Sequence, residues 1–433
     1  MGKLRCGAAE RCVTPPLGRN IPSCMVPRYA TGVKDDIYTH ALVVEDGEKT
    51  AVLISVDTSA LGTGFTREVR RALEKAIGVD PRAVMVSAIH IHTGGPQLLE
   101  AFWGQKMEKD INELFLTRTV EAAVEAYRKR VPVKAYYGEG SEDRIAFRRH
   151  YRLQNGAVKM NPGRKHAAEI VSPVGEIDRT VGVLRFDDFD GKPVAEIVNF
   201  ACHPDTVGGT EYSADYPGAM RRYLKEEYGE DMTVVFFNGC SGNLNHVDAP
   251  RFADPEFRYP ADHYQKMGRI LADDVIEIGR HMTELSGTDV SFAHRRFRAP
   301  RRQPTAEHAA WAEEILNDPA SSGVNRAIAK EWRRLVRCPK HWELIEMQAI
   351  RVGDFAISAF PGEPFSDIGL RLRARAPFKK LMISELANNT IGYLATEPVY
   401  STGVYEAMLA SSCVDIETID KMIDVADELL RKL

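Results

Sequence analysis

The chain has 433 residues, 44% of them hydrophobic and 27% charged; it is long enough for a large core, so a disordered or minimal disulfide-held protein is excluded. Lys plus Arg number 57 against 61 Asp plus Glu, a formal charge of -4, and this balance gives no footing for nucleic acid or an anionic membrane surface. Seven scattered cysteines (Cys6, Cys12, Cys24, Cys202, Cys240, Cys338, Cys413) form neither an even framework nor a zinc-finger pair, which favours a reducing compartment.

In chain order, the opening MGKLRCGAAERCVTPPLG lacks the apolar stretch of a signal peptide, and no later run approaches the roughly 20 apolar residues of a membrane span. The expectation is a soluble, cytoplasmic protein without stable membrane association. Ala41 to Val44, the turn Glu45-Asp46-Gly47-Glu48 and Val52 to Asp57 read as a hairpin that delivers Asp57 at a strand end. Thr66, Val69, Leu73 and Ile77 keep helical spacing up to Gly78, and Ala83 to Ile89 is strand-like again. Met107 to Arg128 reads as an amphipathic helix. Val181 to Phe186 and Ala195 to Phe200 are strands across a turn, Pro217 opens a helix, and Thr233 to Phe237 is a short apolar strand.

The basic stretch Arg295 to Arg298 with Arg301 and Arg302 fits a solvated strand surface better than an anion site. From Thr305 to Val336 two helical runs flank a break at Asp318 to Gly323, a hairpin suited to a lid or an oligomer contact. Met347 to Val352 and Phe355 to Phe360 pair across Gly353-Asp354, a helix follows to Arg375, Lys380 to Ser384 is a strand, and Ile416 to Leu433 is a terminal helix. Strands and helices alternate without repeats or low-complexity linkers. The expected fold is therefore α/β: one catalytic domain spanning 1–433, with mixed sheets, outer helices, the 305–336 hairpin as an insertion and a metal site at strand ends.

The sharpest local signal is His90-Ile91-His92-Thr93-Gly94-Gly95-Pro96, where an apolar strand runs into Gly-Gly-Pro. Two imidazoles at a strand end suit a zinc site, one as ligand and the other as ligand, base or oxyanion partner; two histidines shaping a loop is the plainer alternative. His203 stands in the same context after Val198 to Phe200. Glu363 follows Phe360-Pro361-Gly362, either as a site carboxylate or as a first-turn helix residue. Asn238 to His246 is a glycine-bearing turn that matches neither a phosphate loop nor a nucleophile elbow.

Taken in order, Val13-Thr14-Pro15-Pro16, Val56-Asp57, His90-Ile91-His92-Thr93-Gly94, His203, Phe360-Pro361-Gly362-Glu363 and the tyrosine-rich segment from Asn388 to Tyr400, with Tyr405-Glu406, resemble the catalytic domain of the neutral/alkaline, non-lysosomal ceramidases. The resemblance implies a zinc ion held by His90, His203, Glu363 and Tyr393, with His92 beside the metal. It implies a substrate-holding arginine at Arg148, a register that the adjacent Arg149 leaves open by one. The family's loop serine corresponds to Asn245, which supplies no hydroxyl but has an amide able to donate to an oxyanion. Ser241 is the only nearby hydroxyl, four positions away. The expectation from the sequence is a catalytic domain without the family's leader and C-terminal β-sandwich.

The resulting expectation is zinc-dependent hydrolysis of a carbon-nitrogen amide bond in a small soluble substrate. His92 shuttles a proton, Tyr393 is a ligand and oxyanion stabiliser, Arg148 anchors substrate, and Asn245 donates to the oxyanion. Ester or lactone hydrolysis is the enzymatic alternative, and a metal-stabilised binding protein the non-enzymatic one.

Overall fold

The computed structural model describes residues 4–21, 25–98, 101–102, 105–106 and 108–433; Cys24 and Met107 lie outside them. The first half contributes β1 (Arg5–Cys12), β2 (Tyr38–Glu45), β3 (Thr50–Val56), α1 (Thr63–Ile77), β4 (Val84–Ala88), α2 (Lys109–Arg128), β5 (Val131–Ser141), β6 (Thr180–Asp188) and β7 (Pro193–Phe200). The second half contributes α3 (Asp215–Tyr228), β8 (Thr233–Asn238), α4 (His263–Gly279), β9 (Val290–Pro300), α5 (Ala306–Asn317), α6 (Gly323–Arg337), β10 (Trp342–Val352), β11 (Phe355–Ala359), α7 (Ser366–Arg375), β12 (Lys380–Ser384) and α8 (Ile416–Lys432).

The first sheet runs β8-β7-β6-β5-β1-β2-β3-β4, and the second runs β9-β10-β11-β12. Both are mixed: β7/β8, β3/β4 and β11/β12 are parallel pairs inside otherwise antiparallel ladders. Alternate residues of a strand go to opposite faces. Val52 and Ile54 of β3 join Val69 and Leu73 of α1 and Phe115 of α2 in one core. Leu53 goes the other way, into a core shared with Ile350, Phe355 and Ile357 of the second sheet. The outer face of the second sheet, through Ile345 and Met347, is covered by Ile368 of α7 and by Ile419, Met422 and Ile423 of α8. This is the expected mixed α/β architecture with outer helices.

The first sheet curls, so that Ser55 of β3 donates its hydroxyl to the carbonyl of Phe236 in β8 at 2.6 Å. That closure brings the carboxyl ends of separate strand pairs together. Ser384, the last residue of β12, bonds Ser87 of β4 at 2.9 Å, and Asn238 at the end of β8 accepts from the Glu385 N–H at 3.0 Å.

Three elements go beyond the sequence reading: β1, β5 and α4. In β1, Cys6-Gly7-Ala8-Ala9 has no β-branched residue to signal a strand. Gly7 is needed because a Cβ there would run into the backbone of Ala126 and Arg130 at the end of α2. The helix expected from Pro217 begins at Asp215, and the basic stretch is the edge strand β9, where Arg295 pairs with Glu428 at 2.5 Å and Arg296 with Glu346 at 2.7 Å. Asp57 is buried and paired with Arg221 of α3 at 2.8 Å, a structural bridge behind the strand end. Among the described residues no helix is long and apolar enough to cross a membrane.

Candidate metal centre

His90 and His92 follow β4, His203 follows β7, Glu363 follows β11 and Tyr393 follows β12. Glu363 and Tyr393 are themselves paired in a short parallel bridge that fixes their separation. The sequence reading put His90 and His92 on one face of a continuing strand, but the strand ends at Ala88. His90 instead takes a left-handed backbone conformation, φ 73°, uncommon for a residue with a Cβ and held when surrounding bonds over-determine it. Its N–H donates to Thr58 at 3.0 Å.

His90 Nε2 lies 3.2 Å from His203 Nε2 and 3.2 Å from Glu363 Oε2, and the same Glu363 oxygen is 3.4 Å from His203 Nε2. These three atoms form a closed triangle. His92 Nε2 stands 3.4 Å from His90 Nε2 on one side, and the Tyr393 hydroxyl 3.4 Å from His203 Nε2 on the other. The ring nitrogens of His90, His92 and His203 make a group able to hold a metal ion.

The donor set meets a chemical test for such an ion. The Nδ1 atoms of His90 and His203 face the carbonyls of Ser59, at 2.6 Å, and Ser241, at 2.9 Å. A carbonyl only accepts, so each Nδ1 carries the proton and a neutral ring presents a bare Nε2 lone pair to the triangle. Two facing lone pairs and a carboxylate repel unless a cation lies between them. Tetrahedral ligands about 2.0–2.1 Å from a metal are about 3.3 Å apart, the spacing seen here. Glu363 Oε2 is buried with no donor in hydrogen-bond geometry.

The titration behaviour agrees. Burial lowers the pKa of His90, but the charge of Glu363 outweighs it and raises it to about 9, so without a metal a proton takes the cation's place. Burial opposes ionisation of Glu363, yet the charge of His90 holds it well below the carboxylate range. Burial and the charge of His90 drop His92 to about 3, leaving its ring neutral.

Arg149, not Arg148, faces the centre. Its side chain is buried, reaches His203 Nε2 at 3.3 Å, pairs with Glu406 at 2.6 Å, and lies over the Tyr393 ring at 5.1 Å. Arg148 turns the other way and donates to the Gly175 carbonyl. Asn245 does not reach the cluster either: its amide donates to Asn161 at 3.1 Å and accepts from the Val247 N–H at 3.0 Å. The loop sits close because residue 242 is glycine; a Cβ there would collide with the Glu363 carbonyl. Ser241 is buried and donates to Glu385 at 2.8 Å. Glu385, Glu406 and Tyr405 are site residues beyond those assigned from the sequence. Tyr405-Glu406 was part of the family resemblance without a role, and Glu385 had no motif around it.

No protein-family model matches the chain. Among solved structures it superposes on the crystal structure of neutral ceramidase from Pseudomonas aeruginosa with a TM-score of 0.75 at 17% identity, over 99% of this chain and 74% of that one. Its fold is that of neutral ceramidase. A second structure, a ceramidase complexed with C2, gives a TM-score of 0.76 at 16% identity, again over 99% of this chain and 74% of that one.

A cavity of about 600 Å³ opens beside His90, His92, Glu363 and Tyr393. Glu331 and Arg334 of α6 form part of its wall, so the helical hairpin borders the site.

Proposed function

We propose that the chain is a zinc-dependent hydrolase that cleaves a carbon-nitrogen amide bond in a small soluble substrate, acting as one catalytic unit over 1–433 with the 305–336 hairpin walling its cavity. The observation that carries this reading is the closed triangle of His90, His203 and Glu363, with sides of 3.2, 3.2 and 3.4 Å, beside an open cavity. Two imidazoles, a carboxylate and the flanking Tyr393 oxygen suit zinc better than a hard cation that demands oxygen alone. The deep structural likeness to ceramidases, whose name denotes cleavage of an amide, supports the reaction class.

When bound, zinc polarises a carbonyl oxygen and makes water acidic enough to be a nucleophile near neutral pH. His90, His203, Glu363 and Tyr393 would hold it. The chain's own groups do the rest. His92 stands 3.4 Å from His90, placed to take the proton from attacking water and return it to the leaving amine. The Arg149 guanidinium, fixed by Glu406, sets a positive charge over the Tyr393 ring and favours negative charge on that oxygen. Ser241 is engaged by Glu385, which favours direct attack by water over a serine nucleophile. The described cysteines are free thiols, which supports a cytoplasmic setting.

Zinc content measured by element-specific anomalous scattering, beside hydrolysis of short N-acyl amides, tests this reading. The expected result is one zinc at His90 and His203 and amine release that follows zinc occupancy. A metal held elsewhere, or amine release unaffected by zinc removal, would overturn it.

A further inference from the structure

The cavity beside His90 and His92 has the start of α1 in its wall. Gly62, Thr63, Gly64 and Phe65 all line it. The N-cap position is Gly62, so no side chain caps this 15-residue helix, and its first turn holds no acidic residue. The N–H groups of Thr63, Gly64 and Phe65 find no acceptor among the described residues; the first amide of the helix to be satisfied is that of Thr66, by the Gly62 carbonyl. Exposed first-turn amides and the positive end of the helix dipole favour an anion.

Arg67, one turn into the same helix, also lines the cavity and has no ion pair among the described residues. The other cations of this wall are committed. Arg301 and Lys340 both pair with Glu343, and Arg334 pairs with Glu331 at 2.6 Å. Glu68, the next residue of α1, also lines the cavity; its carboxylate lies past the first turn of the helix and is exposed to solvent.

Independent of the helix is Gln97. It is 9% exposed, lines the same cavity, and its side-chain amide has no partner among the described residues. A side-chain amide that faces a cavity without a protein partner is free to donate to a ligand. Its NH₂ adds a donor to those of α1 and Arg67.

We propose that this end of the cavity is a carboxylate subsite. The substrate is then an amide whose non-scissile end carries a carboxylate, bound by the α1 amides, Arg67 and Gln97, with the scissile carbonyl toward His90 and His92. One free guanidinium and one helix terminus match a single negative charge, and the first amides of α1, Arg67 and Gln97 gather donors at one end of a cavity whose same wall also holds Phe65 and Leu98. The inference rests on the hydrolase reading for the word substrate, but the subsite itself does not.

N-hexanoylglycine and N-hexanoylglycinamide differ only in carboxylate against carboxamide, and calorimetric titration of both into metal-depleted and zinc-loaded protein tests the proposal. The acid is expected to bind about 10-fold or more tightly than the neutral amide, and Arg67→Gln to remove most of that advantage. Thr63→Asp places a carboxylate at the free amides; it should abolish the advantage while keeping or raising the melting temperature, which a damaged fold would not do. No advantage of the acid over the amide in wild-type protein, including no binding of either, overturns the subsite, as does an advantage that survives both variants. If the acid is preferred but zinc-loaded protein hydrolyses neither compound, the hydrolase reading fails and the subsite stands. Equal binding with rapid hydrolysis of both does the reverse.

Discussion

Ser241 stands behind His203: its carbonyl accepts the Nδ1–H at 2.9 Å, and its hydroxyl donates to Glu385 at 2.8 Å while its N–H donates to the other Glu385 oxygen at 3.0 Å. The chain Glu385–Ser241–His203 fixes the imidazole tautomer, and partners of this kind typically change metal affinity by about 10- to 100-fold. Ser241→Ala should therefore weaken zinc binding by about that factor in competition with a chromogenic chelator, with turnover recovering as zinc is added. Intact mass during turnover of an activated amide should show no acyl adduct. Turnover abolished at full zinc occupancy, with an adduct on Ser241 in the wild type, would make this serine the nucleophile.

His203 and His92 separate by role although both stand in the cluster. His203 belongs to the closed triangle, whereas His92 stands outside it, its Nε2 toward His90 and its ring edge beside that of His203 at 5.8 Å between centroids. His203→Ala is expected to lose metal and activity together. His92→Ala should keep most of its metal and lose about 10²- to 10⁴-fold in turnover, the usual worth of a positioned acid or base. Metal content measured on the same samples as turnover distinguishes the two, and stoichiometric metal loss in His92→Ala would make it a ligand.

Much of this centre could be read from residue types at strand ends, because an apolar run that stops at His, Glu or a Gly-rich turn marks where an open sheet presents polar groups. What escaped was set by the third dimension. The one-residue register between Arg148 and Arg149 depends on which side of a two-residue strand opposite Leu244 and Asn245 faces inward. Glu385 has no motif around it and enters only because β12 ends beside β8. Asn245 occupies the family serine's place in sequence, yet its amide is used by Asn161 and Val247. In the fold, β1 went unread because close packing against α2 selected Gly7 over the residues that signal a strand.

Arg149 and Arg148 give a paired test of that register. Arg149 is 4% exposed and Glu406 0%, and His150 shares the same carboxylate at 3.0 Å. Removing one partner of a buried pair leaves an uncompensated charge, typically at a cost of about 3–5 kcal/mol. Arg149→Met should lower the denaturant-unfolding free energy by that order and impair turnover. Arg148→Met loses a bond to the Gly175 carbonyl from a half-exposed side chain and should stay within about 1 kcal/mol of wild type. Equal losses in the two variants would show that Arg149 is not the buried partner.

The last expectation concerns pH and a residue far from the centre. Glu196 lies in β7 opposite Arg185 of β6, is 0% exposed, and neither carboxyl oxygen has a hydrogen-bond partner among the described residues. Its neighbour Arg185 is engaged by Asp187 at 3.0 Å. Burial therefore pushes Glu196 up from 4.5 to about 8, against the partial help of Arg185. Below 4.5 the group is protonated in both folded and unfolded chains and exacts nothing. Between 4.5 and about 8 the unfolded chain releases the proton while the folded chain keeps it. Stability then falls as pH rises, by up to about 1.4 kcal/mol per pH unit. Glu196→Gln removes this slope while keeping shape. Its melting temperature should match wild type near pH 5 and exceed it increasingly toward pH 8, with the gap levelling above that. Asp274, raised to about 7, and Asp215, raised to about 6, titrate in the same window but are common to both proteins and cancel in the difference. Parallel stability curves from pH 5 to 9 would mean that Glu196 is solvated or paired in solution, and the burial argument for it would fall.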